Sequence, residues 1–324
     1  MRRFLRSFAF ALMLAGLVAV APFGAEWGSR PPIAAAASGS LLLPRAAGLG
    51  VLDVASGAER SLYSAKQLVL GAAWSPDGGR VVFSQFGKAP GDRYGGADLY
   101  LLEDGQARLV VTHAAPDQVL SNPVWTSDGG ALIYEAAGGP AGFNIEQATL
   151  DGTGRLTLES RSAAPAVSPD GALLAFLQVT SYDSLMVRPL AGGAPRELVP
   201  ADAFVAISAP RFSPDGQRLA FVAVGGPPSG HLRGPADPLW SLRLGPAVAL
   251  AHGLPWDPWV VNLDGSGLRK VAELFEDDPS LAWSPDGSTL AVLGGGGLWL
   301  VPVDGGGDPT ILSHGSYGAF DWRP

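Results

Sequence analysis

The sequence predicts an all-β chain, a six-bladed β-propeller of four-stranded antiparallel blades. The first observation is a turn repeated five times: Trp74-Ser75-Pro76-Asp77-Gly78, Trp125-Thr126-Ser127-Asp128-Gly129, Val167-Ser168-Pro169-Asp170-Gly171, Phe212-Ser213-Pro214-Asp215-Gly216 and Trp283-Ser284-Pro285-Asp286-Gly287. A truncated sixth copy, Asp321-Trp322-Arg323-Pro324, ends the chain. Successive copies lie 51, 42, 45, 71 and 39 residues apart, the spacing of propeller blades rather than of helical repeats. The second observation is composition: 44 Gly and 28 Pro among 324 residues, with no long amphipathic helical pattern beyond the N-terminal segment. The third is the way the two ends complement each other, described below.

The elements follow in chain order. Residues 1–37 stand outside the fold. Arg2, Arg3 and Arg6 form a basic start, Phe8 to Phe23 is an uncharged apolar run, and Ala34-Ala35-Ala36-Ala37 supplies small residues for cleavage. This is the layout of a signal peptide, with an uncleaved membrane anchor as the rival. Residues 38–324 are expected to form one propeller domain. After Ser40, Leu41-Leu42-Leu43, Val51-Leu52-Asp53-Val54 and Arg60-Ser61-Leu62 look like the second, third and fourth strands of a blade that lacks its first. Gly318-Ala319-Phe320-Asp321-Trp322 is a first strand with nothing after it. One blade shared between the termini removes the exposed sheet edges of an open array.

Within each repeat the chemistry of the turn is local. Pro presets φ at the second turn position, Asp bonds nearby backbone and Gly accepts φ > 0. A strand follows each turn: Arg80-Val81-Val82-Phe83, Ala131-Leu132-Ile133-Tyr134, Leu173-Leu174-Ala175-Phe176, Arg218-Leu219-Ala220-Phe221 and Thr289-Leu290-Ala291-Val292. A second Gly-rich turn then recurs, as at Asp151-Gly152, Gly192-Gly193, Asp264-Gly265 and Asp304-Gly305, to give a four-stranded meander.

These repeats resemble those of the TolB-type propeller, the six-bladed domain of a periplasmic binding protein. The resemblance spans Ser40 to Pro324. It implies the propeller fold, and, for function, a non-catalytic module that binds a protein or another envelope component. Related propellers also gate prolyl-oligopeptidase-like hydrolases, and lactonase-type propellers hold a catalytic metal in their channel. TolB itself carries an α/β domain before its propeller, for which no room is expected between the leader and Leu41.

Charge and cysteine content narrow the class. The chain carries 22 basic and 30 acidic side chains; without residues 1–37, which hold four Arg and one Glu, 18 stand against 29, a net of −11. An acidic exported chain without basic clusters fits neither nucleic acid nor an anionic membrane surface. There is no Cys, so neither disulfides nor thiol chemistry enter.

Two regions are candidates for function. The fourth blade inserts residues 225–257 between its second and third strands, carrying His231, Arg233, Trp240, Arg243, His252 and Trp256, with Trp259 at the exit. A long loop rich in tryptophan is expected either to cover the loop face as a lid or contact platform, or to pack its rings on the neighbouring blade. The position just before each motif is small and apolar except at Arg211 and Asp321; with Asn122 they are expected to line the central channel. His113 and His314 fall in loops of the same face as the insert, but no pair of histidines has close ligand spacing, so no metal and no cofactor are expected. No Gly-x-Ser-x-Gly elbow occurs and no catalytic residue is assigned; the alternatives are an enzyme centred on the channel mouth and a tethered accessory or sensor module.

Overall fold

The computed structural model describes residues 37–88, 94–140, 142–180, 183–227, 255–305 and 307–324. Among the described residues no helix is long and apolar enough to cross a membrane. The strands are β1 (Ser40–Arg45), β2 (Gly48–Asp53) and β3 (Glu59–Ser64), then β4 (Val69–Trp74), β5 (Val81–Lys88), β6 (Tyr94–Glu103) and β7 (Gln106–Val111). Next come β8 (Val119–Trp125), β9 (Ala131–Ala137), β10 (Phe143–Thr149) and β11 (Leu156–Ser160), followed by β12 (Ser162–Val167), β13 (Leu173–Gln178), β14 (Ser184–Pro189) and β15 (Arg196–Val199). The last are β16 (Ala206–Phe212), β17 (Arg218–Val224), β18 (Trp256–Asn262) and β19 (Arg269–Lys270), then β20 (Ser280–Trp283), β21 (Thr289–Leu293), β22 (Leu298–Pro302), β23 (Thr310–Ser313) and β24 (Asp321–Arg323).

They pair antiparallel in quartets. The quartets β12–β15, β16–β19 and β20–β23 are separate sheets, while β4–β7 and β8–β11 are joined by one parallel bridge, Ala97 to Val119. A further sheet runs β24-β1-β2-β3 and so contains both ends of the described chain. The first strands of the quartets touch in sequence, β4 with β8, β8 with β12, β12 with β16, β16 with β20, β20 with β24, and β24 with β4.

The core lies between quartets. Leu42, Leu49 and Val51 pack with Val69, Val81 and Phe83, and Ile133 and Ile145 pack with Leu174 and Phe176. Likewise Val187 and Val199 meet Phe212 and Phe221, and Val222 and Val260 meet Leu281 and Val292. The residue nine places after the start of each motif, Phe83, Tyr134, Phe176, Phe221 or Val292, is fully buried.

The repeated turn is a closed hydrogen-bond unit. Ser75 Oγ donates to Asp77 Oδ1 at 2.5 Å, the same oxygen accepts the Gly79 N–H at 3.0 Å, and the Arg80 N–H returns to Ser75 Oγ at 2.9 Å. Gly78, with φ of 70°, takes the left-handed position. Thr126 and Asp128 repeat the unit, as do Ser168 and Asp170, Ser213 and Asp215, and Ser284 and Asp286. These bonds favour the ionised carboxylate, so the hydroxyl donor first and the backbone N–H second hold all five Asp below their ordinary range. The second-turn residue Asp151, bonded to Thr149 and Thr153, is lowered to about 2. A depressed folded pKa stabilises the fold above the unfolded value of about 3.9 and is lost as pH falls through the folded value. The melting temperature should therefore hold from about pH 5 upward and drop steeply between about pH 4 and pH 2. Thermal melts across that range check it, and a midpoint unchanged down to pH 2 would contradict it.

A second repeated device joins neighbours. Arg80 lies over the ring of Trp125, 5.0 Å from its centroid, and donates to the Gly129 carbonyl at 3.3 Å. Arg218 does the same to Trp283 and Gly287, and Arg323 to Trp74 and Gly78, the last with the guanidinium 3.7 Å from the ring. The indoles of Trp125 and Trp283 donate back to the carbonyls of Ala73 and Arg211 at 3.2 and 3.1 Å. Each clasp thus ties the turn of one quartet to that of the next through a cation–π contact and hydrogen bonds.

Candidate functional site

The first strands are bent by equivalent irregularities. β8, β12 and β16 each shift register three residues before their motif, at Asn122, Ala164 and Ala209, which sit at φ of 49°, 52° and 49°. A bulge at this point twists the strand and re-aims the residues that follow. Past these bends lies a cavity of about 270 Å³, lined among others by Trp74, Trp125, Phe320, Arg211 and Asp321. Its lining also includes Pro76, Ser127 and Pro169 of the repeated turns, which puts it at the turn end of the first strands.

Arg211 and Asp321 meet at this cavity without a direct ion pair within 4 Å among the described residues. Asp321 is committed: Oδ2 accepts the Trp74 N–H at 2.9 Å and Oδ1 accepts the Trp322 N–H at 2.9 Å. Burial pushes its carboxyl above the ordinary range, opposed by those N–H groups and by the charges of Arg211 and Arg323. Burial likewise pushes the Arg211 guanidinium down, opposed by Asp321. The one hydrogen bond of that guanidinium among the described residues goes from Nη1 to the carbonyl of adjacent Pro210 at 2.9 Å. Trp74 Nε1 is buried without a partner among the described residues, as are Trp259 Nε1 and Gln85 Oε1.

Asn122, the third residue expected at the channel, is turned to another task. Its Nδ2 donates to Glu135 Oε2 at 3.0 Å, and the same oxygen accepts the Ala164 N–H at 2.9 Å. Glu135 is nearly buried and ties β9 to the bulge of β12. Asn is the side-chain-bearing residue that best tolerates the left-handed conformation held here.

At the opposite end lie the loops between quartets. β17 ends at Val224 and β18 begins at Trp256, which pairs with Val224, so Trp256 and Asp257 are strand residues and the insertion stops before them. His231, Arg233, Trp240, Arg243 and His252 lie outside the described residues. Trp259 is core: 1% exposed, edge-on to Phe204 at 4.9 Å, with Lys270 Nζ 5.7 Å from its ring centroid. Gly226, where the insertion leaves the sheet, runs so close that a Cβ there would fall 2.4 Å from Phe204 and 2.6 Å from Trp259. Trp256 is half-buried against the β20–β23 quartet.

Nothing in the residue pattern marks the loops that flank it. Loops 200–205, 271–279 and 314–320 each expose one large apolar side chain: Val205 (51%), Phe275 (56%) and Tyr317 (43%). Phe275 sits at φ of 55°, a strained backbone for a bulky residue. What holds it is Asp257, buried, whose Oδ1 accepts the N–H groups of Leu274 at 2.9 Å and Phe275 at 3.4 Å, while Oδ2 pairs with Lys270 at 2.8 Å. Glu276 locks the other side: its backbone pairs with Trp256, and its carboxylate accepts the Gly296 N–H at 3.0 Å and the Trp299 indole at 2.6 Å. Burial raises the Tyr317 hydroxyl above its ordinary range, reinforced by the charges of Asp277, Glu276 and Asp278, which places the phenol beside the acidic loop.

His113 is pinned to the scaffold, its ring Nδ1 2.6 Å and its backbone N–H 2.7 Å from Asp98 Oδ1, and His314 lies exposed in the loop after β23. Among the described residues no group of three or more His, Asp or Glu is arranged to hold a metal ion.

No protein-family model and no curated protein matches the chain. Solved structures do. The TolB of Acinetobacter baumannii superposes with a TM-score of 0.64 at 16% identity, over 89% of this chain and 67% of that one. A putative TolB from Agrobacterium tumefaciens gives 0.62 at 16% identity, over 89% of this chain and 99% of that one. Low as the identity is, the path of the backbone is shared over most of the described residues, and this chain has a TolB-like β-propeller fold.

Proposed function

We propose that this chain is an exported, non-catalytic binding module of the cell envelope, a closed six-bladed propeller that captures a protein partner on its loop face. The observation that carries the reading is Phe275, more than half exposed yet held in a strained left-handed conformation by the buried carboxylate of Asp257. Strain maintained by buried partners at a solvent-exposed aromatic is what an interaction anchor requires, since the ring gains nothing from the fold it burdens. Val205 and Tyr317 on the neighbouring loops extend the same face, and Gly225 lies beside Val205, so the insertion leaves the sheet at its edge. Export rests on the signal-like segment at residues 1–37, and a protein partner on the likeness to TolB structures.

The test is capture from native envelope fractions by the full chain and by the double variant Phe275→Ala, Tyr317→Ala. Removing two exposed rings should leave the melting temperature within about 2 °C, because neither contributes to the core. Partner recovery should fall at least roughly thirtyfold, the loss of one interface anchor worth about 2 kcal/mol. Equal recovery of the same partners by the double variant would move the recognition surface elsewhere.

A further inference from the structure

We infer that the Asp104-Gly105 turn joining β6 to β7 is a site of spontaneous covalent modification, at which the aspartate rearranges to isoaspartate. The turn follows Leu102, which pairs with Val81, so it lies at the turn end and away from the loop face. The inference is independent of the binding role proposed above.

Nine Asp-Gly pairs occur in the chain. The pair is prone to this rearrangement because glycine carries no side chain to shield its nitrogen. That nitrogen attacks Cγ of the preceding aspartate, the carboxyl hydroxyl departs as water, and a five-membered succinimide forms. Water then opens the ring at either carbonyl. One opening restores aspartate; the other routes the backbone through Cγ and leaves the former α-carboxyl as the free acid. No oxidant or cofactor enters, and the water lost is regained.

Seven of the nine pairs are shielded twice. In the five repeated turns, and at Asp151 and Asp264, the glycine N–H donates to the carbonyl three residues earlier at 2.8 or 2.9 Å. Each of these carboxylates also accepts a hydroxyl and a backbone N–H, as Asp264 Oδ1 does from Ser266 at 2.6 and 2.8 Å. Such bonds hold the carboxyl ionised, and an ionised carboxyl has no hydroxyl to lose as water.

Asp104 has neither shield. Pairing of Glu103 with Gln106 leaves a loop of two residues, both left-handed, with φ of 49° at Asp104 and 72° at Gly105. Leu102 and Gln106 occupy the places, two before and two after the aspartate, from which the other seven draw their hydroxyl. Among the described residues the Asp104 carboxylate receives no hydrogen bond and the Gly105 N–H reaches no acceptor. Beyond its chain neighbours, no atom lies within 4 Å of where a Cβ on Gly105 would stand. The attacking nitrogen and the carboxyl it attacks are thus both unheld, and both residues are exposed. Asp304-Gly305, the ninth pair, is intermediate, because Arg269 Nη2 holds that carboxylate at 3.3 Å.

The test is to age the full chain at neutral pH in heavy-oxygen water, because each opening of the succinimide fixes one solvent oxygen whichever product forms. Peptide mapping with electron-transfer fragmentation locates the label and tells isoaspartate from aspartate. Asp104 should carry the most label, at least about tenfold more than Asp151, whose carboxyl is lowered to about 2. Asp304 should come second. In urea, where the clamps are gone, the nine pairs should label at similar rates. Ser266→Ala, an exposed change whose melt is checked alongside, should raise the labelling of Asp264. Asp104→Asn should form isoaspartate faster than the parent, because a carboxamide loses ammonia more readily than a carboxylate loses water. The inference is overturned if Asp104 gains no more label than the seven clamped residues, if Asp304 runs ahead of it, or if Asp104→Asn forms no isoaspartate. It fails equally if the unfolded chain keeps the folded ranking, or if Asp264 is unchanged in Ser266→Ala, since the clamps would then not be what selects the site.

Discussion

Deleting residues 321–324 should abolish cooperative folding. Four residues are a small part of the chain, but they are the whole of strand β24, which pairs Ser40 with Arg323, Leu41 with Trp322 and Leu42 with Asp321. Their removal unpairs the edge of β1 and withdraws Trp322, a buried indole that also donates to the Ser38 carbonyl at 3.0 Å. Loss of a buried Trp alone costs about 3–5 kcal/mol. The Asp321 bond to the Trp74 N–H and the Arg323 clasp on Trp74 and Gly78 go with it, so both neighbours of β24 lose a contact. Against a total stability of roughly 5–15 kcal/mol, the sum leaves little or nothing. Far-UV circular dichroism through a thermal ramp should show no sigmoidal transition in the truncated chain, and Trp322→Ala should melt well below the parent. A truncated chain melting within a few degrees of full length would mean that the β24–β1 pairing contributes little to stability.

The pairing of these residues with the first strand was legible in the sequence because the repeat writes its own turn locally. Ser, Asp and Gly bond one another within five residues, so each copy of Trp-Ser-Pro-Asp-Gly announces a turn wherever it occurs, and a remnant at the C-terminus announces a missing partner at the N-terminus. The burial of Phe83, Tyr134, Phe176 and Phe221 follows from the same period. What joins one repeat to the next was not legible, since the partners are tens of residues apart. Arg80 and Trp125 belong to different copies, and only their structure shows the clasp. A trace of it does exist in the sequence. Arg80 and Arg218, six residues into their motifs, precede copies that begin with Trp, whereas Ala131 and Leu173 precede copies that begin with Val167 and Phe212. Thr289 interrupts the pattern, and there the indole of Trp322 turns instead to Ser38.

At the candidate sites the balance is different. Arg211 and Asp321 stood out as charges in a series of small residues, and they line one cavity. Asn122 looked like a third, but a bulge redirects it to Glu135, and bulges leave little signal in a single sequence. The tryptophans drew attention to residues 225–257, yet Trp259 lies in the core, and the most exposed ring on that face among the described residues, Phe275, sits in a short acidic loop with no periodicity to mark it. Its exposure depends on a left-handed φ set by Asp257, eighteen residues earlier across β18 and β19.

Asp257→Ala is therefore the substitution expected to act on fold and recognition together. It leaves the Lys270 ammonium, packed near Trp259, without the carboxylate 2.8 Å away, and it orphans the N–H groups of Leu274 and Phe275. Breaking a buried pair by removing one partner costs about 3–5 kcal/mol, because the remaining charge stays desolvated. Lys270 also reaches Glu273 at 3.5 Å, an exposed partner that recovers only a little of this. With its donors unpaired, the 271–279 loop has no reason to keep Phe275 at φ of 55°, and relaxation to an ordinary backbone turns the ring away from the face it now presents. Two readouts divide the effect. The double variant Asp257→Ala, Lys270→Met removes the stranded charge and should regain a large part of the stability lost, while partner capture stays as weak as in Phe275→Ala. Restored capture in the double variant would mean that Asp257 serves only to neutralise Lys270, and that the conformation of Phe275 is set by something other than this carboxylate.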